Sequence, residues 1–166
     1  MENNKFVIAV YVDNKAGVLT RVTAMFTRRN FNIDTLTVGE TERSEYSRIT
    51  ITMRGDDYVK EQLINQLKKL YVVKKVEVLK GEPIKRELML IKVLNKSEHR
   101  NDIMTAVDVF RASVIDYSTE GMCIEVTGNP SKIDAFVKLM QPFGILEMCR
   151  TGVVALDRGA NTLLAD

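Results

Sequence analysis

Phe6-Val7-Ile8-Ala9-Val10-Tyr11-Val12-Asp13-Asn14-Lys15-Ala16-Gly17-Val18 carries the chain from the end of a strand straight into the start of a helix. The apolar run Phe6–Val12 reads as a buried strand, and Val18, Val22, Met25 and Phe26 recur at helical spacing just beyond it. A tight turn containing Gly17 joins the two. A helix start of this kind has free backbone N–H groups and a positive partial charge, so it can hold a small carboxylate. Gly17 has no Cβ, which lets a ligand approach the backbone closely. The junction therefore suits a small amino acid.

Working outward, the first half continues with strands at 32–39 and 46–54. A helix over 58–70 has Val59, Leu63, Leu67 and Leu70 on one face, and a strand at 72–79 closes the half. Asp56 or Asp57 can cap that second helix. The second half repeats the order. A strand at 87–94 leads to a helix over 97–110 with Ile103, Val107 and Phe110 on its apolar stripe. Strands at 113–117 and 122–127 follow, then a helix over 130–140 and a last strand at 145–156. Asn129-Pro130 supplies that helix with an N-cap and a proline at its first position. The order β-α-β-β-α-β thus occurs twice, with a period of roughly 80 residues. This order gives an antiparallel sheet with both helices on one face, so the expected class is α+β, two ferredoxin-like domains in tandem. Residues 1–79 form the first domain, 80–86 a linker punctuated by Gly81 and Pro83, 87–157 the second domain and 158–166 a tail without periodicity.

Composition narrows the function. The 166 residues are 45% hydrophobic and 28% charged with a net charge of +2, which is ordinary for a globular protein and too little to argue for nucleic acid. No apolar run approaches a membrane span and no signal-peptide pattern opens the chain, so the expected compartment is the cytoplasm. Cys123 and Cys149 sit in strand-like runs without a C-x-x-C, and His99 is the single histidine, so buried inert thiols are expected and no metal site. Neither G-x-G-x-x-G nor G-x-x-x-x-G-K-[ST] is present to hold a nucleotide. The third strand, Tyr46-Ser47-Arg48-Ile49-Thr50-Ile51-Thr52-Met53, lacks the stacking aromatics of an RNA-recognition module. Lysines 68, 69, 74, 75, 80 and 85 make a basic stretch around the linker, either a solvated face or a docking patch.

A second polar cluster, Asn30-Phe31-Asn32-Ile33-Asp34, follows the first helix. Structurally, Asn14 can cap a helix, and Asn30 or Asn32 can end one in a left-handed conformation. Functionally, an amide offers both donor and acceptor to a zwitterion. The loop at Asn14–Gly17 and the residue Asn32 lie at opposite ends of a helix of about 12 residues, about 18 Å apart. A single amino acid cannot touch both ends, so a site using both needs two chains paired about a two-fold axis.

These residues resemble the small, regulatory subunits of acetolactate synthase (acetohydroxyacid synthase), whose N-terminal half is an ACT domain. The likeness covers about residues 5–159. Its carriers in the first half are Asn14–Val22, Asn32–Val38 and Ser47–Ile51, and in the second Arg86–Val93, Phe110-Arg111-Ala112, Ile115-Asp116, Asp134-Ala135-Phe136 and Arg150–Leu156. The resemblance implies a chain without an active site, which forms a homodimer, binds and activates a large catalytic subunit, and confers feedback inhibition by valine or a related branched-chain amino acid. It implies effector residues Asn14, Gly17, Val18 and Leu19 from one chain with Asn32 and Ile33 from its mate. Thiamine diphosphate, magnesium and FAD would belong to the catalytic subunit, and none to this chain. A stand-alone ACT-type amino-acid sensor is the alternative.

Overall fold

The computed structural model describes residues 4–164; residues 1–3 of the expected first domain and 165–166 of the tail lie outside them. Two compact units form. The first combines residues up to Ile84 with those from Val153 onward, and the second spans Lys85–Gly152. In the first unit, β1 (Lys5–Asp13), α1 (Val18–Arg28), β2 (Ile33–Glu40), β3 (Tyr46–Arg54), α2 (Asp57–Lys68) and β4 (Val73–Val78) build an antiparallel sheet of order β2-β3-β1-β4. Strand period dictates the packing. Phe6, Ile8, Val10 and Val12 point to the helix side, where Val22, Phe26, Leu63 and Leu67 meet them. Val7, Ala9 and Tyr11 point to the opposite face, and that face is buried too. This explains why β1 reads as continuously apolar instead of alternating.

Local chemistry sets the helix ends. Asp56 caps α2, its carboxylate accepting from the Val59 amide at 2.9 Å. Asn30 terminates α1 in the left-handed region at φ 55°. The Asn30 amide then donates to Thr27 O at 3.1 Å and the Phe31 amide to Phe26 O at 3.0 Å, and the Phe26 and Phe31 rings meet edge-to-face at 6.4 Å. Those two bonds and the apolar clasp are the Schellman arrangement, which satisfies carbonyls that the helix leaves open.

In the second unit, β5 (Ile84–Leu94), α3 (Arg100–Val109), β6 (Ser113–Tyr117), β7 (Gly121–Gly128), α4 (Pro130–Met140) and β8 (Ile145–Arg150) repeat the plan, with sheet order β6-β7-β5-β8. Met89, Ile91, Val93, Ile124, Ile133 and Phe136 fill its core. α3 ends as α1 does: Arg111 stands at φ 50°, and the Ala112 amide donates to Val107 O at 2.8 Å. Asn129 caps α4 by accepting from the Lys132 amide at 2.9 Å. Glu87, 2% exposed, is gripped by Arg150 through two 2.8 Å bonds, and Arg150 also reaches Asp134 at 2.7 Å. The Glu87 bonds chiefly hold the guanidinium above its already high ordinary pKa.

Several expectations are corrected. β5 begins at Ile84, so residues 84–86 of the expected linker are strand. The last strand breaks: β8 stops at Arg150, and β9 (Val154–Leu156) follows Gly152 at φ 82°, a left-handed residue that a continuous strand does not accommodate. Residues from Val153 onward group with the first unit. The segment from Val153 to Leu164 lies as a strap over the first sheet. Leu163 packs with Val153 and Ala155 over Val7, Ala9, Tyr11 and Leu79. Thr37 Oγ1 donates to Val153 O at 3.1 Å and Arg48 Nη2 to Ala155 O at 2.7 Å. Burial there lowers the Arg48 pKa from its ordinary value. The cysteines are not buried thiols: Cys123 is half-buried and Cys149 exposed. Their registers opposite Lys92 and Leu90 place them on the sheet face away from α3 and α4.

This strap has a measurable consequence. Leu163→Ala should cost about 2 kcal/mol, because a large apolar side chain is removed from a closed cluster. Urea denaturation of the full chain checks this, and a change below about 0.5 kcal/mol would show that the strap adds nothing to the sheet.

Candidate functional site

The loop between β1 and α1 is held from one side. The Asn14 amide nitrogen of the backbone donates to Glu45 O at 2.8 Å. Its side chain donates through Nδ2 to Ser44 O at 2.9 Å and accepts through Oδ1 from Ser47 Oγ at 3.1 Å. Asn14 is thus not a helix cap; it ties the loop to the β2–β3 connection. A carboxamide has two donor hydrogens and two acceptor lone pairs, so each end of Asn14 retains one further bond. Ser44 and Ser47, which orient it, went unrecognised in the sequence because they lie 30 residues or more away.

Gly17 is the N-cap of α1 at φ 82° and ψ −5°, and no side chain caps this helix. A Cβ built on Gly17 would meet nothing within 4 Å. The space beside the backbone is open. The first turn contains no acidic residue, so the positive helix end is not compensated from within it. Val18 is buried in the core and can offer only its backbone, whose amide makes a long 3.4 Å turn bond to Lys15 O. Leu19 is 39% exposed beside it.

Asn14, Gly17, Val18 and Leu19 therefore gather at one end of α1. Asn32 is exposed at the other end, and Ile33 opens β2, half-buried against the core and opposite Met53. The 11-residue helix between the two sets is about 16 Å long. One chain does not bring the two sets together. Among the described residues no group of His, Cys, Asp and Glu could hold a metal ion, and no helix is long and apolar enough to cross a membrane.

Residues 8–75, which contain all six candidate residues, match the family described as the AHAS small subunit-like ACT domain. Residues 86–159 match that described as the small subunit of acetolactate synthase. The chain is 49% identical over 155 residues to a probable acetolactate synthase small subunit of Archaeoglobus fulgidus, covering 93% of this chain and 98% of that one. It is 45% identical over 153 residues to the acetolactate synthase small subunit of Mycolicibacterium smegmatis, covering 92% and 90%. The chain belongs to the acetolactate synthase small subunits. The crystal structure of the Thermotoga maritima small subunit superimposes with a TM-score of 0.89 at 39% identity, covering 95% of this chain and 99% of that one. The small-subunit match runs to residue 159, across Gly152, so it includes the β9 segment that the structure packs on the first sheet.

Proposed function

We propose that this chain is the regulatory subunit of acetolactate synthase: it binds and activates the large catalytic subunit and makes it sensitive to valine or a related branched-chain amino acid. The observation that carries the reading is the start of α1, uncapped and open beside Gly17, in a chain of this family. Amides of Gly17, Val18 and Leu19 take the effector carboxylate, and Asn14 uses its remaining bonds on the polar end. Asn32 and Ile33 of a second copy complete the site, with Ile33 beside the branched side chain. An exposed Leu19 and Val38, the latter 49% exposed on the edge strand β2, support pairing of two copies along that side. An apolar pocket separates ligands differing by one methylene by only about 1–3 kcal/mol, so leucine and isoleucine compete. Inhibition then requires valine to favour one arrangement of the complex by about 1–3 kcal/mol. Thiamine diphosphate, magnesium and FAD act on the catalytic subunit, and the complex works in the cytoplasm.

The test mixes the purified chain with an acetolactate synthase large subunit and assays pyruvate consumption with and without valine. Activity should rise on mixing and fall with valine, while the chain alone forms no acetolactate. Sedimentation of the chain alone should give a dimer. No activation of the large subunit would overturn the reading, and a strictly monomeric chain that binds valine would overturn the shared site.

A further inference from the structure

The basic stretch around residues 68–80 gains a shape in the structure. β4 is the last strand of the first sheet, paired with β1 on one side only. A groove of about 1020 Å³ lies beside β4, lined by residues of α2 and β4 and by residues of the strap between Asp157 and Thr162. Five cationic residues line it, from three separate elements: Lys68 on α2, Lys74, Lys75 and Lys80 on and after β4, and Arg158 on the strap. Two acidic ones, Glu77 and Asp157, face them. The groove thus carries a formal excess of three positive charges, in a chain whose total is +2. Lys74 is paired with Asp13 at 3.1 Å and Lys75 with Glu77 at 3.9 Å. Lys68 and Lys80 have no acidic group in ion-pair range among the described residues.

The backbone adds direction. The Leu79 amide donates to Val7 O at 2.9 Å, and Glu77 stands opposite Ala9. In an antiparallel ladder the alternate residues turn their N–H and C=O groups outward, so Val76 and Val78 present theirs to the groove. Lysines on an edge strand by themselves discourage pairing. Here they instead line a groove that also holds the partly exposed Ile64, Val73 and Val78 and open strand groups, which is the combination that an added strand uses.

We propose that this groove docks an acidic, extended segment of the catalytic subunit, which adds to the β4 edge as a strand while its carboxylates meet Lys68 and Lys80. The choice of partner rests on the proposed function; the acidic-strand chemistry rests on the groove. A groove of this volume exceeds what a single amino acid fills, and β4, six residues long, spans about 20 Å of partner chain.

The test uses the full chain as wild type, as Lys68→Glu/Lys80→Glu and as Val78→Pro. The proline removes an outward N–H and leaves the β1 ladder intact, as an edge strand tolerates. Two probes are titrated: the purified large subunit, and a labelled synthetic hexapeptide alternating glutamate and valine, with inorganic tripolyphosphate as competitor. Valine binding of each variant reports that the first unit is folded. Both variants should bind each probe at least tenfold more weakly, with valine binding unchanged, and wild-type binding should weaken as salt rises. Peptide binding that survives the charge reversal overturns the proposal. So does peptide binding that survives Val78→Pro and yields to tripolyphosphate, which marks an anion site without strand addition. If wild type binds the hexapeptide as expected but no large subunit, the docking chemistry stands and the proposed partner falls.

Discussion

Gly17→Asp should abolish valine inhibition while leaving activation of the large subunit intact. In the free chain the substitution is tolerated sterically, since a Cβ at Gly17 meets nothing within 4 Å. The backbone cost is bounded as well. A left-handed residue costs about 1–2 kcal/mol for most side chains, and aspartate is among those that adopt it most readily. What the aspartate does is occupy the open space with a negative charge beside the position of the effector carboxylate. Two such charges about 4 Å apart repel by about 4 kcal/mol at an effective dielectric of 20, or nearly three orders of magnitude in affinity, and solvent and salt reduce this.

Gly17→Asn separates the contributions. Asparagine accepts the same φ of 82° and has nearly the same size without the charge. Valine titration by calorimetry, with activation measured alongside, should rank wild type above Gly17→Asn and Gly17→Asn well above Gly17→Asp. Equal affinities for wild type and Gly17→Asp would remove Gly17 from the site. Loss of activation together with valine binding would mean that the loop also serves the catalytic subunit.

What was legible in the sequence follows from distance along the chain. Helix starts and stops depend on neighbours: Asn129 caps α4 as its position suggests, and of Asp56 and Asp57 it is Asp56 that caps α2, whereas Asn14 does not cap α1. The sequence left Asn30 and Asn32 as alternatives for ending α1, and φ selects Asn30, which leaves Asn32 exposed and available. The double β-α-β-β-α-β order came from periodicity alone, and the structure bears it out. The strap was not legible. Leu163 has no apolar partner at regular spacing, because its partners Val7, Ala9 and Tyr11 are some 150 residues upstream. The continuous apolarity of β1 signalled that both faces were covered without saying by what. The break at Gly152 was hidden for the same reason: the flanking residues have good strand character, and only the destination of the chain makes the turn necessary. The helix start at Gly17 follows from local chemistry, whereas the two serines that hold Asn14 are brought in by the fold.

Arg150→Met should destabilise the second unit by about 3–5 kcal/mol, the usual consequence of removing one partner from a buried ion pair. The Glu87 side chain is 1% exposed against 31% for that of Arg150, so the loss falls unequally. Removing the arginine strands a carboxylate that water reaches poorly, whereas removing the glutamate frees a guanidinium that still has Asp134 at 2.7 Å. Glu87→Gln should therefore cost less than Arg150→Met. The double replacement Glu87→Leu/Arg150→Met should recover most of the stability lost in Arg150→Met, because no buried charge remains and apolar groups of similar size fill the place. Equilibrium denaturation of the full chain, followed by hydrogen exchange of β5 and β8 amides, reads all three. Equal stability of the single and double variants would show that the cost comes from lost packing and not from the unpaired Glu87.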